Sequence, residues 1–421
     1  MKKQITLICG LLLAASVFAE PELTEVEQLE QRIAVLEAQT QTLRKFKVSG
    51  YIQAQYQWGE GDARLRVGLP NPDTKESFSR FGVRRGRIKF TYDATPLTSG
   101  VFQLDITERG VSFKDAYFNV KDPWINTMQL RVGIFDRPFG NEIGYSSSRR
   151  ESPERSLVFQ TLFPDERDLG TMVILQPAKT SPWNFIKLEA GLFAGNGIRQ
   201  SPSNHRDFIG RLSANQKYAD FEIGGGVSYY NGSVYQSSDK VFTMDGNAFK
   251  LNQDSINIGK FAKREYVGID FQASVLTAAG MTMFRAEYLF GQQPGTNASS
   301  NSPNWTALPT NQDTYIRPFS GWYVILVQDL GELPFSAVLK YDVYNPNTKV
   351  EGDDIGLTNS GTSRTDVTTS TFGFGALWRI SPALRLQAFY EIPQNETSKN
   401  VSGFEKDRKD SFFTLRLQYK F

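Results

Sequence analysis

The sequence predicts an all-β fold, a sixteen-stranded antiparallel transmembrane β-barrel preceded by a short N-terminal coiled-coil helix. Three observations predict it. Hydrophobicity alternates with a period of two from residue 46 to the C-terminus. The connections between the alternating segments are short and long in turn, as in membrane barrels. The most apolar run, residues 5–19, is shorter than the roughly 20 residues that a spanning helix needs, which argues against a polytopic helical membrane protein.

Residues 1–19 have the features of a secretory signal peptide. Lys2 and Lys3 form a basic start, an apolar run follows, and Ala19 ends a small-residue cleavage site. The only cysteine, Cys9, lies inside this segment. The mature chain is therefore expected to have no disulfide, and its stability must come from burial or from a bilayer.

The mature chain is expected to be electrically neutral. The full sequence has 47 Lys and Arg against 45 Asp and Glu, and the signal peptide removes two lysines and no acid, which leaves 45 of each. Nucleic-acid binding needs a basic excess, so we expect no nucleic-acid partner. A single histidine, His205, with no nucleophile motif around it predicts no catalytic residue, no metal site and no cofactor. The acidic run 351–354 leaves a weak Ca²⁺ alternative open.

Residues 20–45 show the one clear helical period of the chain and are predicted to form a periplasmic coiled-coil segment. Apolar residues recur there at alternating spacings of three and four, which is the pattern of a coiled-coil seam. A single amphipathic helix is the alternative. The seam positions are Val26, Leu29, Ile33, Leu36, Thr40 and Leu43.

Residues 46–421 are predicted to form the barrel domain. In the last segment Phe413, Leu415 and Leu417 alternate with Arg416 and Gln418, as in a strand between lipid and a wet lumen. Each segment is close to the 9–11 residues that cross a bilayer when tilted. A soluble β-sandwich or β-helix is the alternative. The predicted strands are 46–58, 78–94, 100–109, 111–120, 127–135, 170–178, 184–193, 206–215, 220–230, 266–276, 281–290, 319–328, 334–344, 369–380, 383–392 and 411–421.

The long connection at about residues 136–169 stands apart from the other loops. It is one of the two longest, and a long connection in a compact fold is usually functional. It carries arginines and acids in a mixed order. We expect it either to fold into the barrel or to lie outside as a solvated loop. The other long connections are 59–77, 231–265, 291–318, 345–368 and 393–410.

The alternation also predicts which charges face the lumen. If the apolar row of each strand faces lipid, twelve basic residues and seven acids point inward, which favours anions. Each inward arginine either lines the pore or pairs with a neighbouring acid. The basic residues are Arg85, Arg87, Lys89, Arg131, Lys187, Arg211, Arg285, Lys340, Arg379, Arg385, Arg416 and Lys420, and the acids are Asp105, Asp115, Glu189, Asp270, Glu287, Asp342 and Glu391.

Four stretches resemble the phosphate-selective porins of the O and P type: residues 50–58, 79–94, 101–120, and 130–171 with its Arg-Pro-Phe-Gly, Ser-Ser-Ser and Arg-Asp-Leu-Gly sequences. The resemblance implies a homotrimer of barrels in the outer membrane of a Gram-negative bacterium, surrounded by outer-membrane lipid. It implies that the loop after the fifth strand folds inside as a constriction. It implies passive diffusion of small anions, phosphate being the leading candidate. Phe421 resembles the terminal aromatic residue that the outer-membrane assembly machinery reads.

The predicted pore-lining and anion-binding residues come from the alternation and loop position and from the resemblance. Alternation and loop position give Arg85, Arg87, Lys89, Arg131 and Arg155, and the resemblance gives Ser147, Ser148, Arg155 and Asp115. The resembling porins also use lysines, whereas residues 137–148 contain none, which favours weak anion preference over strict phosphate selectivity. The alternatives are a general porin or one for another solute, and less favourably an outer-membrane hydrolase or a structural anchor.

Overall fold

The structure, a computed structural model, describes residues 24–70, 75–199, 204–302 and 312–421. Two compact units divide the chain, Met1–Lys47 and Val48–Phe421, and each is described by itself. The predicted signal peptide, residues 1–19, lies outside the described residues.

Helix α1 (Glu25–Lys45) occupies the segment predicted to be helical. Arg44 and Lys45 lie in its last turn, where positive charge is favourable against the helix dipole. The apolar seam is solvent-exposed in the single chain, including Ile33 at 52% and Leu43 at 71%. Among the described residues, no helix combines the length and the apolar character needed to cross a bilayer.

The second unit consists mainly of strands. They are β1 (Phe46–Gly59, whose first two residues belong to the first unit), β2 (Phe78–Thr95), β3 (Thr98–Thr107), β4 (Gly110–Lys121), β5 (Met128–Asp136), β6 (Arg167–Leu175), β7 (Ile186–Phe193), β8 (Asp207–Lys217), β9 (Phe221–Tyr235), β10 (Lys240–Asp245), β11 (Ala248–Gln253), β12 (Phe261–Thr277), β13 (Gly280–Gly295), β14 (Thr314–Asp329), β15 (Phe335–Asn345), β16 (Thr369–Arg379), β17 (Leu384–Asn395) and β18 (Phe412–Lys420). Helix α2 (Leu157–Leu162) follows β5, and 3₁₀ turns lie at Ser255–Asn257, Gly352–Asp354 and Arg364–Asp366.

Sixteen of these strands, all except β10 and β11, form one closed antiparallel barrel. Each pairs with the next barrel strand along the chain, and β1 pairs with β18 to close the ring, from Tyr51 opposite Lys420 to Gly59 opposite Phe412. Beyond this register, Gly50 and Phe421 exchange two backbone hydrogen bonds of 2.9 and 3.0 Å. The predicted fold class is therefore confirmed, and closure leaves the barrel without a free edge.

The connection predicted as a loop at 231–265 contains additional structure. β9 and β12 extend into it, and β10 and β11 form an antiparallel hairpin. Gly246, at φ +63°, and the next residue make the tight turn of this hairpin. β10 also pairs with the start of β14 in parallel, where the rings of Phe242 and Tyr315 stack 4.3 Å apart.

The two faces of the barrel follow the predicted alternation. On β18 the inward Thr414, Arg416 and Gln418 are buried, whereas Leu417 is 44% exposed on the outer face. Exposed Phe372 and other large apolar residues cover the outer face of further strands. A closed barrel with an apolar outer face is a membrane-spanning structure, because every strand satisfies its backbone hydrogen bonds within the ring.

The inner face is less uniformly polar than the alternation predicts. A buried cluster of apolar and aromatic side chains fills part of the interior, including Phe193 and Phe319 on the wall. The loop after β5 packs on this cluster through Phe139. Gly268 makes the approach possible, since a Cβ there would lie 2.8 Å from the Phe139 ring. Inward apolar residues thus pack against the loop instead of lining water.

Candidate pore constriction

Residues 137–166, here called the inner loop, connect β5 to β6 and cross the interior of the barrel. The first part is fixed to the wall by backbone donors: the Gly140 N–H donates to Ser228 Oγ (2.9 Å) and the Asn141 N–H to Glu287 Oε2 (2.9 Å). The inward folding predicted for this loop is confirmed. It ends earlier than predicted, because β6 begins at Arg167.

Glu154 fixes the middle of the inner loop. Its carboxylate receives Arg84 through two hydrogen bonds of 2.8 and 2.9 Å, Arg85 at 3.0 Å and Arg416 at 2.8 Å. Arg416 also donates to the carbonyl oxygen of Pro153 (2.7 Å). Three arginines from two barrel strands therefore donate to one loop carboxylate. Hydrogen bonds between charged groups such as these are stronger than those between neutral groups.

Helix α2 fixes the last part of the inner loop by packing. Val158, Phe159 and Leu162 on this helix are buried in the interior cluster. The Phe159 ring lies 6.2 Å from that of Tyr323 on β14. The Leu157 N–H donates to Asp342 Oδ1 on β15 at 3.2 Å. The inner loop is thus held at its start, middle and end.

Several predicted site residues meet where the inner loop approaches the β1–β2 wall. Arg87 pairs with Asp105 at 3.3 Å, and its Nη1 donates to Ser147 Oγ at 3.1 Å. Arg85 donates to Gln53 as well as to Glu154. The half-buried Ser148 accepts a hydrogen bond from the Gln418 side chain at its carbonyl oxygen (3.1 Å).

Arg155 and Asp115 stabilise the inner loop and the barrel wall through hydrogen bonds and ion pairs. Arg155 donates to the carbonyl oxygens of Glu142 and Ile143, each at 2.9 Å, and pairs with Glu166. Asp115 accepts from Arg167 Nε at 3.0 Å. Both side chains are buried, so neither presents a free charge to the lumen.

Most of the inward basic residues are neutralised. Eight of the twelve form ion pairs with carboxylates: Arg85, Arg87, Lys187, Arg211, Arg285, Lys340, Arg379 and Arg416. The other four, Lys89, Arg131, Arg385 and Lys420, have no carboxylate partner in the described ranges. The unpaired positive charge predicted for the inner face therefore comes from these four residues.

We group a further lysine, Lys114, with Lys89 and Arg131 from these four residues. The β3–β4 register shifts so that Gln103 faces Asp115 while the next pair is Leu104 with Phe113, which leaves Lys114 as the extra residue of a β-bulge. Its side chain lies near the charged groups of Arg87, Arg167, Asp105 and Asp165. A bulge breaks the period of two, so alternation alone could not assign this residue to the lumen.

We call Lys89, Lys114 and Arg131 the wall patch. They lie on β2, β4 and β5, all three side chains are half-buried, and none has a carboxylate partner in the described part of the chain. Arg131 donates to Asn119 Oδ1 at 2.9 Å, and its guanidinium lies 4.5 Å from the centre of the Tyr117 ring. Neutral partners orient this arginine without cancelling its charge.

A cavity of about 390 Å³ lies between the inner loop and the long loops, at the opposite end of the barrel from Phe421. We call it the vestibule. Its charged lining includes Arg64, Arg66, Arg364, Glu391 and Asp410. Burial, opposed by Arg408 and assisted by neighbouring acids, raises the pKa of Asp410 to about 7. In the described ranges, no group of three or more metal-ligating side chains comes together.

Comparison with known proteins finds similarity in structure only. No family model matches the sequence, and no curated protein matches it. The outer membrane channel DcaP of Acinetobacter baumannii is 14% identical, with a TM-score of 0.54 over 89% of this chain and 97% of that one. OprB of Pseudomonas putida is 12% identical, with a TM-score of 0.56 over 91% and 96%. The trimer form of OmpT from Vibrio cholerae is 11% identical, with a TM-score of 0.50 over 89% and 99%.

The fold is that of an outer-membrane porin. At these identities the likeness shows the fold alone. Together with the apolar outer face, this fold places the barrel in the outer membrane of a Gram-negative bacterium, as the sequence predicts. The long loops that border the vestibule then face the outside, because membrane barrels have short turns on the periplasmic side.

Proposed function

We propose that this porin is a water-filled channel for passive diffusion of small anions, with phosphate as the leading candidate. The wall patch carries the proposal: Lys89, Lys114 and Arg131 are half-buried cations without carboxylate partners in the described ranges. A selectivity filter in a wide pore is a set of wall charges that attract the permeant ion. Neutralised pairs such as Arg87 with Asp105 contribute much less field at a distance.

The strength of the attraction suits conduction. One cation about 4 Å from an anion contributes roughly 4 kcal/mol of attraction at an effective dielectric constant near 20, before the cost of desolvation. Half-buried cations on three strands divide this attraction among three separate positions. An anion can then pass from one to the next without being trapped, which conduction requires.

Phosphate is favoured by the groups close to the wall patch. The Ser146–Ser148 run brings hydroxyl groups to the wall, where Ser147 already contacts Arg87. Lys114 supplies a lysine near this region, although residues 137–148 contain none. We therefore propose kinship with the phosphate-selective porins through Ser147 and Ser148, and we propose the predicted residues Arg85, Arg87, Lys89 and Arg131, together with Lys114, as lining the pore. Arg155 and Asp115 are assigned to holding the inner loop and the wall.

A general porin with weak anion preference is the second candidate, supported by the many neutralised charges.

We also propose a homotrimer in outer-membrane lipid. Helix α1 exposes a continuous apolar seam, which three copies would bury in a coiled coil in the periplasm, after removal of a signal peptide. The V. cholerae OmpT structure is described as a trimer form. Phe421 is proposed as the residue that the assembly machinery reads. Neither catalysis nor a cofactor is part of this proposal.

Single-channel recording tests the function directly. Discrete open-channel currents with an anion-directed reversal potential in a KCl gradient are expected. Combined Lys89→Gln, Lys114→Gln and Arg131→Gln should shift the reversal potential toward zero or toward cations. A control that removes the same charge at exposed lysines off the inner row, Lys250→Gln with Lys263→Gln and Lys399→Gln, should leave it unchanged.

Three results would contradict the proposal. A cation-directed reversal potential in the unaltered protein would refute anion preference. Equal shifts in the patch variant and the control would remove the wall patch from the mechanism. Silent membranes would favour a structural anchor, and hydrolysis of an added ester or peptide substrate by silent protein would favour an enzyme.

A further inference from the structure

We propose that the vestibule is a binding site for zwitterionic solutes of amino-acid or short-peptide size, which the porin admits in addition to small anions. The inference rests on the proposed channel function, because the vestibule lies at the outer end of the same pore. It rests on unpartnered charges of both signs lining one cavity.

The cationic half of the site is formed by arginines on two external loops. Arg64 and Arg364 are exposed and Arg66 is half-buried, and none has a carboxylate partner in the described ranges. Arg66 donates to the Gln160 side chain on the inner loop, which orients its guanidinium. Guanidinium groups bind carboxylates through two parallel hydrogen bonds.

The anionic half is formed by Glu391 on β17 and Asp410 just before β18. Glu391 is 7% exposed, yet its Oε2 has no hydrogen-bond donor in the described part of the chain. Asp410 Oδ1 also lacks a donor there. Buried polar atoms are nearly always satisfied in native proteins, so unsatisfied carboxylate oxygens on two residues that line one cavity indicate a missing donor.

An ammonium group fits the two acids better than an anion does. Two carboxylates without donors would repel a simple anion at this position, whereas an ammonium group supplies three hydrogen bonds and the opposite charge. The arginines on the same cavity remain available to a carboxylate. The cavity of about 390 Å³ falls within the range of small-molecule sites. A molecule with one ammonium and one carboxylate satisfies both halves.

Three matched probes test this site on the unaltered protein. They are alanyl-alanine, its N-acetyl derivative without the ammonium, and its C-terminal amide without the carboxylate. Interruptions of the single-channel KCl current give a dissociation constant for each probe. We expect alanyl-alanine to bind about tenfold more tightly than either derivative, as the loss of one charge-assisted contact predicts.

Variants then assign the acids. The double variant Glu391→Gln with Asp410→Asn should remove the preference for alanyl-alanine over its N-acetyl form. The matched control is Asp353→Asn, an exposed loop acid that pairs with Lys399 away from the vestibule, and it should keep the preference. Loss of the preference in the control as well would overturn the assignment.

The probes also separate failure of this inference from failure of the channel function. Open currents with anion preference but equal binding of all three probes would overturn the zwitterion site and leave the porin proposal intact. Strongest binding of the N-acetyl form would make the vestibule a plain anion site, and strongest binding of the amide a cation site, and either result overturns the inference. Absence of open currents would refute the proposed function itself.

Discussion

The guanidinium of Arg85 on the barrel wall lies 3.0 Å from the carboxylate of Glu154 on the inner loop, and both side chains are buried. The sequence predicts that Arg85 attracts anions, and in the structure its guanidinium also holds the inner loop. Glu154 places a fixed negative charge among Arg84, Arg85 and Arg416.

The first prediction concerns Glu154→Gln. The substitution leaves Arg84, Arg85 and Arg416 without their shared carboxylate, and removal of one partner from a buried ion pair costs about 3–5 kcal/mol. We expect a lower free energy of unfolding in vesicles and a reversal potential shifted toward anions, because three positive charges become uncompensated. An unchanged reversal potential would show that these arginines lie outside the ion path. Glu405→Gln, on an exposed loop, is the control.

The second prediction concerns Arg155, which the sequence predicts to line the pore and bind anions. In the structure it donates to the carbonyl oxygens of Glu142 and Ile143 and pairs with Glu166. We expect Arg155→Ala to destabilise the porin by about 3–5 kcal/mol and to increase current noise as the inner loop loosens. A clean change of ion selectivity with unchanged stability, measured by denaturant titration, would return Arg155 to the anion-binding residues.

Much of the fold could be predicted from the sequence, because every strand of a barrel in lipid alternates outward apolar residues with inward polar ones. The sixteen predicted segments correspond to the sixteen barrel strands, and the alternation on β18 places Arg416 inward as expected. The rule failed where the period changes. Lys114 is the extra residue of a bulge, and the β10–β11 hairpin (Lys240–Gln253) belongs to a long connection between barrel strands, where lipid imposes no pattern.

The site could be predicted only in outline. Alternation predicts that Arg87 faces inward. It does not predict that Asp105 lies opposite Arg87 in the strand register and neutralises its charge. Nor can it assign a role to Glu154, since the contacts of a loop with distant strands leave no periodic pattern. Inward aromatic residues such as Phe193 look like lumen residues in sequence, and only the packed inner loop explains why they are dry.

The third prediction is a pH dependence at the vestibule. Burial raises the pKa of Asp410 from 3.8 to about 7, so the side chain is neutral below this pH and charged above it. Anion preference should therefore rise as the external pH falls from 8 to 6. Because the folded-state pKa is raised for an acid, this group lowers stability as pH increases from about 4 toward 7. Asp410→Asn should remove both effects, as followed by reversal potential and by unfolding at several pH values.

The fourth prediction concerns the periplasmic turn after β4. Asp122 accepts backbone hydrogen bonds from Trp124, Ile125, Thr127 and Met128 at 2.8–3.0 Å. The N–H groups of Ile125 and Met128 contribute most to lowering its pKa from 3.8 to about 2. A depressed acid pKa stabilises the turn above pH 4, and this contribution is lost as pH falls toward 2.

Hydrogen exchange of the amides of residues 124–128 should therefore be slow at pH 5, after correction for the intrinsic rate, and faster relative to that rate at pH 2. Asp122→Asn should give fast corrected exchange at both pH values. Protection that stays equal at the two pH values in the unaltered porin would contradict a role for the carboxylate.

The fifth prediction compares an inward with an outward phenylalanine. Phe159 on α2 is 1% exposed and packs on Phe163 and Tyr323 inside the barrel, whereas Phe372 is 42% exposed on the outer face. Phe159→Ala leaves a cavity in a packed interior and should cost about 3–5 kcal/mol. Phe372→Ala should cost less, because lipid chains can fill the space that the ring leaves. Free energies of unfolding measured in the same vesicles decide the comparison, and equal losses would show that the interior cluster does not hold the inner loop.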